Sequence, residues 1–231
     1  MRILTAIILA GGLGTRLRSA VPDLPKCMAP VSGKPFISHV IEYCIEQGII
    51  NFILSLGYKS EIIIKYINDQ YSQLNVQYVI EKTPLGTGGA IQLACAKAND
   101  KTVLVLNGDT LYKVDVTQLA AFHEKQNADC TMALKPMKNF NRYGVVELNE
   151  NGSVISFQEK KMYLLGTING GVYILNTKKF INEKFSKTFS FEKDYLEKFI
   201  RLRKIIGLVQ DDYFIDIGIP EDFETANKEL L

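Results

Sequence analysis

Histidine is scarce in this 231-residue chain, which has only His39 and His123, and cysteine is limited to Cys27, Cys44, Cys95 and Cys130. No two cysteines form a C-x-x-C pair and the histidines stand far apart, which argues against a zinc site or a disulfide framework and for a reducing compartment. Charge of one sign is lacking too. The net charge is +2, from 27 basic and 25 acidic residues spread along the chain, with no basic block or arm. Binding to long nucleic acid is therefore not expected. No apolar run approaches the ~20 residues that a bilayer span needs. The first residues enter a strand-like run directly, without a signal peptide's cleavage pattern. The expectation is a cytoplasmic protein with no membrane partner.

Apolar residues make up 47% of the chain, ample for a core, and the length suits one large domain or a domain plus a small lobe. Ile3–Ala10 reads as a buried parallel strand running into glycines. Helical spacing over Pro35–Gln47 ends at Gly48. Asn51–Gly57 reads as a strand, and Ser60–Tyr71 as a helix capped by Ser60. Strand Val76–Glu81, helix Gly88–Ala98, strand Thr102–Leu106, helix Val116–Gln126 and strand Cys130–Lys135 follow. This alternation predicts an α/β fold, an open, mostly parallel sheet with helices on both faces.

The character changes after Pro136. Gly144–Asn149 and Val154–Glu159 read as a hairpin around Asn151-Gly152. Gly171–Leu175 reads as a strand, Phe191–Lys204 as a helix, Tyr213–Ile217 as a strand, and Glu221–Leu231 as a closing helix after Pro220. A small mixed-sheet lobe over the edge of the main sheet is expected. With no linker and no internal repeat, the chain reads as a single domain, residues 1–135 forming one half and 136–231 the other.

In open parallel sheets ligands sit at the carboxyl ends of the strands. Three polar or glycine-rich segments follow those ends: Gly11–Arg16, Glu81–Gly89 and Asn107–Thr110. Gly11-Gly12-Leu13-Gly14-Thr15-Arg16 can bring backbone N–H groups to an anion. It is not a Walker loop, having no Gly-Lys-Ser/Thr, and Leu17 stands where a dinucleotide fingerprint has its third glycine. A purely structural turn is the competing reading; the nearby cations Arg16 and Lys26 favour phosphate. Arg18 reads as a solvated surface residue.

Asp109 ends an apolar strand in Asn-Gly-Asp, suiting either a turn cap or a ligand for Mg²⁺, which prefers hard oxygens. Asp216 reads equally as a ligand or as a solvated turn residue. Glu81 to Gly89 can form a base and ribose clamp through the backbone of Gly86 and Gly88 and the Thr87 hydroxyl, or simply lead into a helix. Glu159-Lys160-Lys161 alone reads as a solvated charge run. Tyr143 reads as core, His39 as a packing residue, and His123 as a solvent-facing helix residue.

Taken together, Leu9-Ala10-Gly11-Gly12-Leu13-Gly14-Thr15-Arg16-Leu17 with Pro25-Lys26 resembles the signature of the sugar-phosphate nucleotidyltransferases. Pro84-Leu85-Gly86-Thr87-Gly88-Gly89-Ala90, Leu106-Asn107-Gly108-Asp109, Arg142-Tyr143-Gly144, Phe157-Gln158-Glu159-Lys160, Ile168-Asn169-Gly170-Gly171 and Phe214-Ile215-Asp216-Ile217-Gly218 follow in family order. The resemblance implies a Rossmann-like nucleotide-diphospho-sugar transferase fold with a sugar-binding second half. It implies an enzyme that forms a nucleoside diphosphate sugar and pyrophosphate from a nucleoside triphosphate and a sugar 1-phosphate.

By the same resemblance, Arg16, Lys26 and Asp109 are catalytic, and Asp109 with Asp216 holds Mg²⁺. Leu9, Ala10, Gly11, Gly12, Gly14, Thr15, Glu81, Gly86, Thr87, Gly88, Asn107 and Gly108 contact the nucleotide. Gly144, Glu159, Lys160, Asn169 and Gly170 contact the sugar phosphate. The tight Gly-Thr-Gly-Gly-Ala form and the stretch Tyr213 to Phe223 are most similar to the branch that joins GTP to a heptose 1-phosphate for surface polysaccharide precursors. Branches that use mannose 1-phosphate with GTP, or muramate 1-phosphate with UTP, come next. A non-catalytic sugar-nucleotide sensor and a nucleotide-dependent oxidoreductase are the more remote readings, and homo-oligomerisation is left open. One departure stands out: Cys27 follows Lys26 where relatives commonly have proline, which would stiffen the loop that aims the lysine.

Overall fold

Ile7 and Ile8 are neighbours in the first apolar run and both are fully buried. Successive strand residues point to opposite faces, so this strand is covered on both sides. The computed structural model describes residues 2–17 and 20–230; Arg18 lies outside them. The elements are β1 (Thr5–Ala10), β2 (Pro30–Val31), β3 (Lys34–Pro35), α1 (Phe36–Glu46), β4 (Asn51–Leu56), α2 (Ser60–Gln70), β5 (Asn75–Ile80), α3 (Gly86–Cys95), β6 (Thr102–Asn107), β7 (Thr110–Tyr112) and α4 (Val116–Gln126). Then come β8 (Cys130–Phe140), β9 (Val146–Leu148), β10 (Val154–Phe157), β11 (Tyr163–Asn176), α5 (Thr177–Ile181), a π-helical segment Phe191–Glu197, β12 (Ile205–Val209), β13 (Phe214–Asp216) and α6 (Pro220–Glu229).

Seven strands form the central sheet in the order β12-β8-β11-β6-β1-β4-β5. All are parallel except β11, which is antiparallel to β6 and β8. Ile8 belongs to a core shared with α1, α2, α4 and α6, whereas Ile7 belongs to one shared with α3, α5 and the π-helical segment. The fold is the expected open, mostly parallel α/β sheet with helices on both faces.

The second half does more than sit over the sheet edge, because β11 is longer than its apolar core suggested. Val172–Asn176 pairs with β6 inside the main sheet, while Tyr163–Asn169 pairs with the outer half of β8. A register shift between Asn169 and Tyr173 marks the bend. The β9–β10 hairpin joins this outer part through a bridge from Val145 to Ile168. The strand β12 went unpredicted. The helix expected over Phe191–Lys204 is correspondingly short, and Ile205–Val209 is drawn instead into parallel pairing with Cys130–Leu134.

Three local readings are corrected. Ser60 lies inside α2 rather than capping it; Lys59, in the left-handed region at φ 50°, occupies the cap with no side-chain cap bond. His123 is 4% exposed rather than solvent-facing, and its Nδ1 lies 2.7 Å from Thr131 Oγ1. Burial lowers its pKa to about 4. Tyr143 is half-buried at the site rather than part of the core. His39, as expected, packs: its Nε2 lies 3.1 Å from the Val31 carbonyl oxygen.

Candidate active site

The glycine-rich turn leaves β1 at the carboxyl edge of the sheet. Gly14 has φ +59°, and a Cβ there would lie 2.9 Å from the Lys26 Cβ. Only glycine accommodates both demands, so the turn and the lysine segment pack directly together. Lys26–Met28 forms a tight 3₁₀ turn, with Met28 N–H donating to Pro25 O (2.8 Å) and Ala29 N–H to Lys26 O (3.0 Å). The turn thus forms with Cys27 where relatives commonly have proline. The Cys27 thiol is buried, and burial raises its pKa to about 12, so it is inert as a nucleophile.

Two carboxylates far apart in sequence meet at Lys26. Asp109 lies in the turn between β6 and β7, and Asp216 ends β13. The antiparallel pairing of β7 with β13 places Asp216 opposite Thr110, and Ile217 N–H donates to the Asp109 carbonyl (3.1 Å). Lys26 Nζ donates to Asp109 Oδ2 at 2.5 Å and to Asp216 Oδ1 at 3.4 Å. The lysine side chain is only 14% exposed. Asp216 is further held by the Gly218 N–H (2.8 Å) and the Tyr143 hydroxyl (3.3 Å), with Arg142 at 3.8 Å. Burial, reinforced by the Asp216 charge, pushes the Tyr143 phenol well up, so it stays a proton donor.

Two clefts meet at this cluster. One, of about 620 Å³, contains Leu9, Gly11, Gly12, Glu81, Gly86 and Thr87 among its walls. The other, of about 650 Å³, contains Arg16, Lys26, Gly144, Glu159, Lys160, Asn169, Gly170 and Asp216. Asn107 and Asp109 belong to both. A recess of about 50 Å³ beneath the turn is lined by Ala10, Gly14 and Gly108 as well as Lys26. Thr15 and Gly88 line none of these three cavities.

Gly88 has a packing role. Its N–H donates to Phe189 O (3.0 Å), and a Cβ would lie 2.2 Å from the Phe189 ring. The Thr87 hydroxyl donates to Glu192 (2.7 Å) and accepts from Phe191 N–H (2.9 Å). This loop is thus braced from below by the segment after α5. Glu81 Oε2 accepts from Leu85 N–H (2.9 Å), which fixes the carboxylate at the cleft wall. Arg142 and Tyr143 are the site residues that sequence reasoning missed. Their signal was available, since both stand beside Gly144 in the quoted motif.

A parallel α/β sheet whose first turn is rich in glycine, with a cation between two carboxylates at the junction of paired clefts, has the nucleotide-diphospho-sugar transferase fold. The structure of HddC from Yersinia pseudotuberculosis complexed with GMP-PN superimposes with a TM-score of 0.89 at 38% identity, covering 99% of this chain and 100% of that one. The family described as nucleotidyl transferase matches residues 5–231, and the chain belongs to it. It is 50% identical over 225 residues to the D-glycero-α-D-manno-heptose 1-phosphate guanylyltransferase of Aneurinibacillus thermoaerophilus, covering 97% of both chains. It is 45% identical over 218 residues to the protein of the same description from Campylobacter jejuni, covering 94% of this chain and 96% of the relative.

Proposed function

We propose that this protein joins GTP to D-glycero-α-D-manno-heptose 1-phosphate, yielding GDP-heptose and pyrophosphate. The observation that carries the transfer reaction is the pair of clefts sharing Asn107 and Asp109, with Lys26 at their junction. Each cleft is of a size for one small substrate. The choice of heptose and guanine is supported by the two relatives at 50% and 45% identity and by their near-complete coverage. Glu81 adds a physical reason. A carboxylate only accepts hydrogen bonds, and guanine offers neighbouring N1–H and 2-amino donors where adenine has an acceptor.

In this reading the 620 Å³ cleft takes the nucleotide and the 650 Å³ cleft the sugar phosphate. A phosphate oxygen of the sugar 1-phosphate attacks the α-phosphorus of GTP, the bond to the β-phosphate's bridging oxygen breaks, and pyrophosphate leaves. The nucleophile has a second pKa near ~6 and is largely dianionic at neutral pH, so no general base is required. Catalysis then rests on alignment and charge neutralisation. Lys26 and Arg16 bind the triphosphate, Lys160 holds the sugar's phosphate in line, and Glu159, Asn169 and the Gly144 backbone orient the sugar.

Asp109 and Asp216 suit a divalent cation, Mg²⁺ by preference. They offer hard carboxylate oxygens already converging on one cation, the Lys26 ammonium, and Mg²⁺ usually takes one or two carboxylates plus substrate phosphates and water. When bound, such an ion neutralises charge on the phosphates. We place this enzyme in the cytoplasm, acting as one domain on small-molecule substrates; among the described residues no helix is long and apolar enough to cross a membrane. It would supply activated heptose for surface polysaccharide assembly, as a monomer or a homo-oligomer.

The test is a matrix of nucleoside triphosphates against sugar 1-phosphates with the purified protein and Mg²⁺, scored by pyrophosphate release. GTP with the heptose phosphate should give the highest kcat/KM. A preference for mannose 1-phosphate, or for UTP with muramate 1-phosphate, would move the protein to a sister branch.

A further inference from the structure

Ser55 lies one residue from the end of β4 and is fully buried. Among the described residues its Oγ is the one buried side-chain polar atom without a hydrogen-bond partner. Native proteins seldom leave a hydroxyl in that state, because burial strips its water and nothing replaces it. The residue's position gives the orphan atom a direction. Ser55 pairs with Leu9 on β1 and Val79 on β5, and Leu9 pairs with Asn107 on β6. This row crosses the sheet at its carboxyl edge. Ile53, two residues earlier and so on the same face, packs against the α3 side of the core. Ser55 therefore faces the first turn of α3, and it lines the nucleotide cleft together with Gly86, Ala90 and Glu81.

Strand spacing separates the tasks within that cleft. Asp109 follows β6, where the phosphates meet Lys26. Ser55 lies on β4, two strands further along, about 10 Å away at ~4.8 Å per strand. Glu81 follows β5, one strand beyond. The far end of the cleft is where a nucleotide anchored at Asp109 places its base. The Thr87 hydroxyl in the same walls is already engaged with Glu192 and Phe191. The Ser55 hydroxyl can both donate and accept, and it is unengaged.

We propose that Ser55 is a specificity-determining residue whose hydroxyl hydrogen-bonds the nucleobase at the floor of the nucleotide cleft. This rests on reading the 620 Å³ cavity as the nucleotide cleft. Filling the cleft with a base completes the hydroxyl's bonding, and a base that presents a C–H at the position facing it leaves it orphaned. The discrimination arises because a site that offers a buried polar group penalises a ligand that cannot pair with it.

The experiment compares wild type with Ser55→Ala, measuring KM and kcat for GTP, ITP, ATP and UTP, and the thermal midpoint without nucleotide. The expected result is a KM for GTP raised about tenfold, the free energy of one hydrogen bond to a buried group, with kcat within about twofold. The preference for GTP over ATP should shrink, and the thermal midpoint should hold or rise, since the lost hydroxyl had no partner. An unchanged KM with a lowered midpoint would make Ser55 a packing residue and overturn the proposal. So would an equal loss for all four nucleotides, which places the hydroxyl away from the base. Should Ser55→Ala fail to fold, Ser55→Cys keeps the side chain's shape with a far weaker hydrogen-bonding group and is read by the same criteria. If wild type prefers a nucleotide other than GTP, the guanine reading falls, while the KM shift for the preferred nucleotide still tests Ser55.

Discussion

Lys26 touches both carboxylates of the site, at 2.5 and 3.4 Å, and is the one cation doing so from within hydrogen-bond reach among the described residues. Removing it would leave Asp109 and Asp216 facing each other with only Arg142, at 3.8 Å from Asp216, to offset their charge. Lys26→Ala and Asp109→Asn should each lower kcat/KM by about 10²–10³, the usual loss when one electrostatic contact to a reacting phosphate goes. Circular dichroism should report an intact fold in both, and near-wild-type turnover would remove these residues from the mechanism. Asp109 was legible as a strand-end carboxylate, but Asp216 alone was not, since Asp211 and Asp212 stand close by in sequence. His123 was misjudged for the same kind of reason. Its helix pattern showed neither the Thr131 hydroxyl nor the burial. Because burial lowers its folded pKa to about 4 from 6.5, the neutral ring is favoured in the folded state. That contribution is complete above pH 6.5 and is lost as the pH falls through 4, up to about 3 kcal/mol. Urea midpoints taken from pH 7 to pH 4 should fall more steeply for wild type than for His123→Gln, and parallel slopes would refute this account.

At the scale of elements, strand runs and helix faces were readable wherever the pattern was local. β1, β4, β5, β6 and five of the helices fall within a few residues of their expected bounds. Pairing was not readable. Nothing in Phe214-Ile215-Asp216 announces that it docks antiparallel to Thr110–Tyr112, yet this contact brings Asp216 to the same lysine as Asp109. The run Ile205-Ile206-Gly207-Leu208-Val209 was long enough for a strand, but helical periodicity just before it concealed the boundary. The loop leading into α3 gives a test of bracing. Phe189, which would meet a Cβ on Gly88, stacks on Phe185 with centroids 4.2 Å apart, so it has little freedom to yield. Gly88→Ala should therefore cost about 1–3 kcal/mol by overpacking. It should also raise the KM for nucleotide more than it lowers kcat, because the displaced loop carries Gly86 and Thr87. A variant with wild-type stability and KM would show that the bracing is not tight.

For the whole molecule, the sheet sets the order of the two clefts. Strands β6, β1, β4 and β5 carry the cleft proposed for the nucleotide along their carboxyl ends, while the bend in β11 carries Asn169 and Gly170 from the outer β-structure to the edge of β6. Both clefts reach Asp109, so on the proposed function the acceptor and the α-phosphate can be present together. Direct transfer between two bound substrates, with no nucleotidyl group ever on the protein, is the central consequence. The buried, raised-pKa Cys27 and the packed histidines agree with it, since none is placed to act as a covalent carrier. The most direct measurement follows labelled pyrophosphate in the presence of GTP and Mg²⁺, with and without the heptose 1-phosphate. Label should enter GTP only when the sugar nucleotide can also form. Exchange of label into GTP with no sugar phosphate present would demonstrate a nucleotidyl-enzyme intermediate and contradict the account.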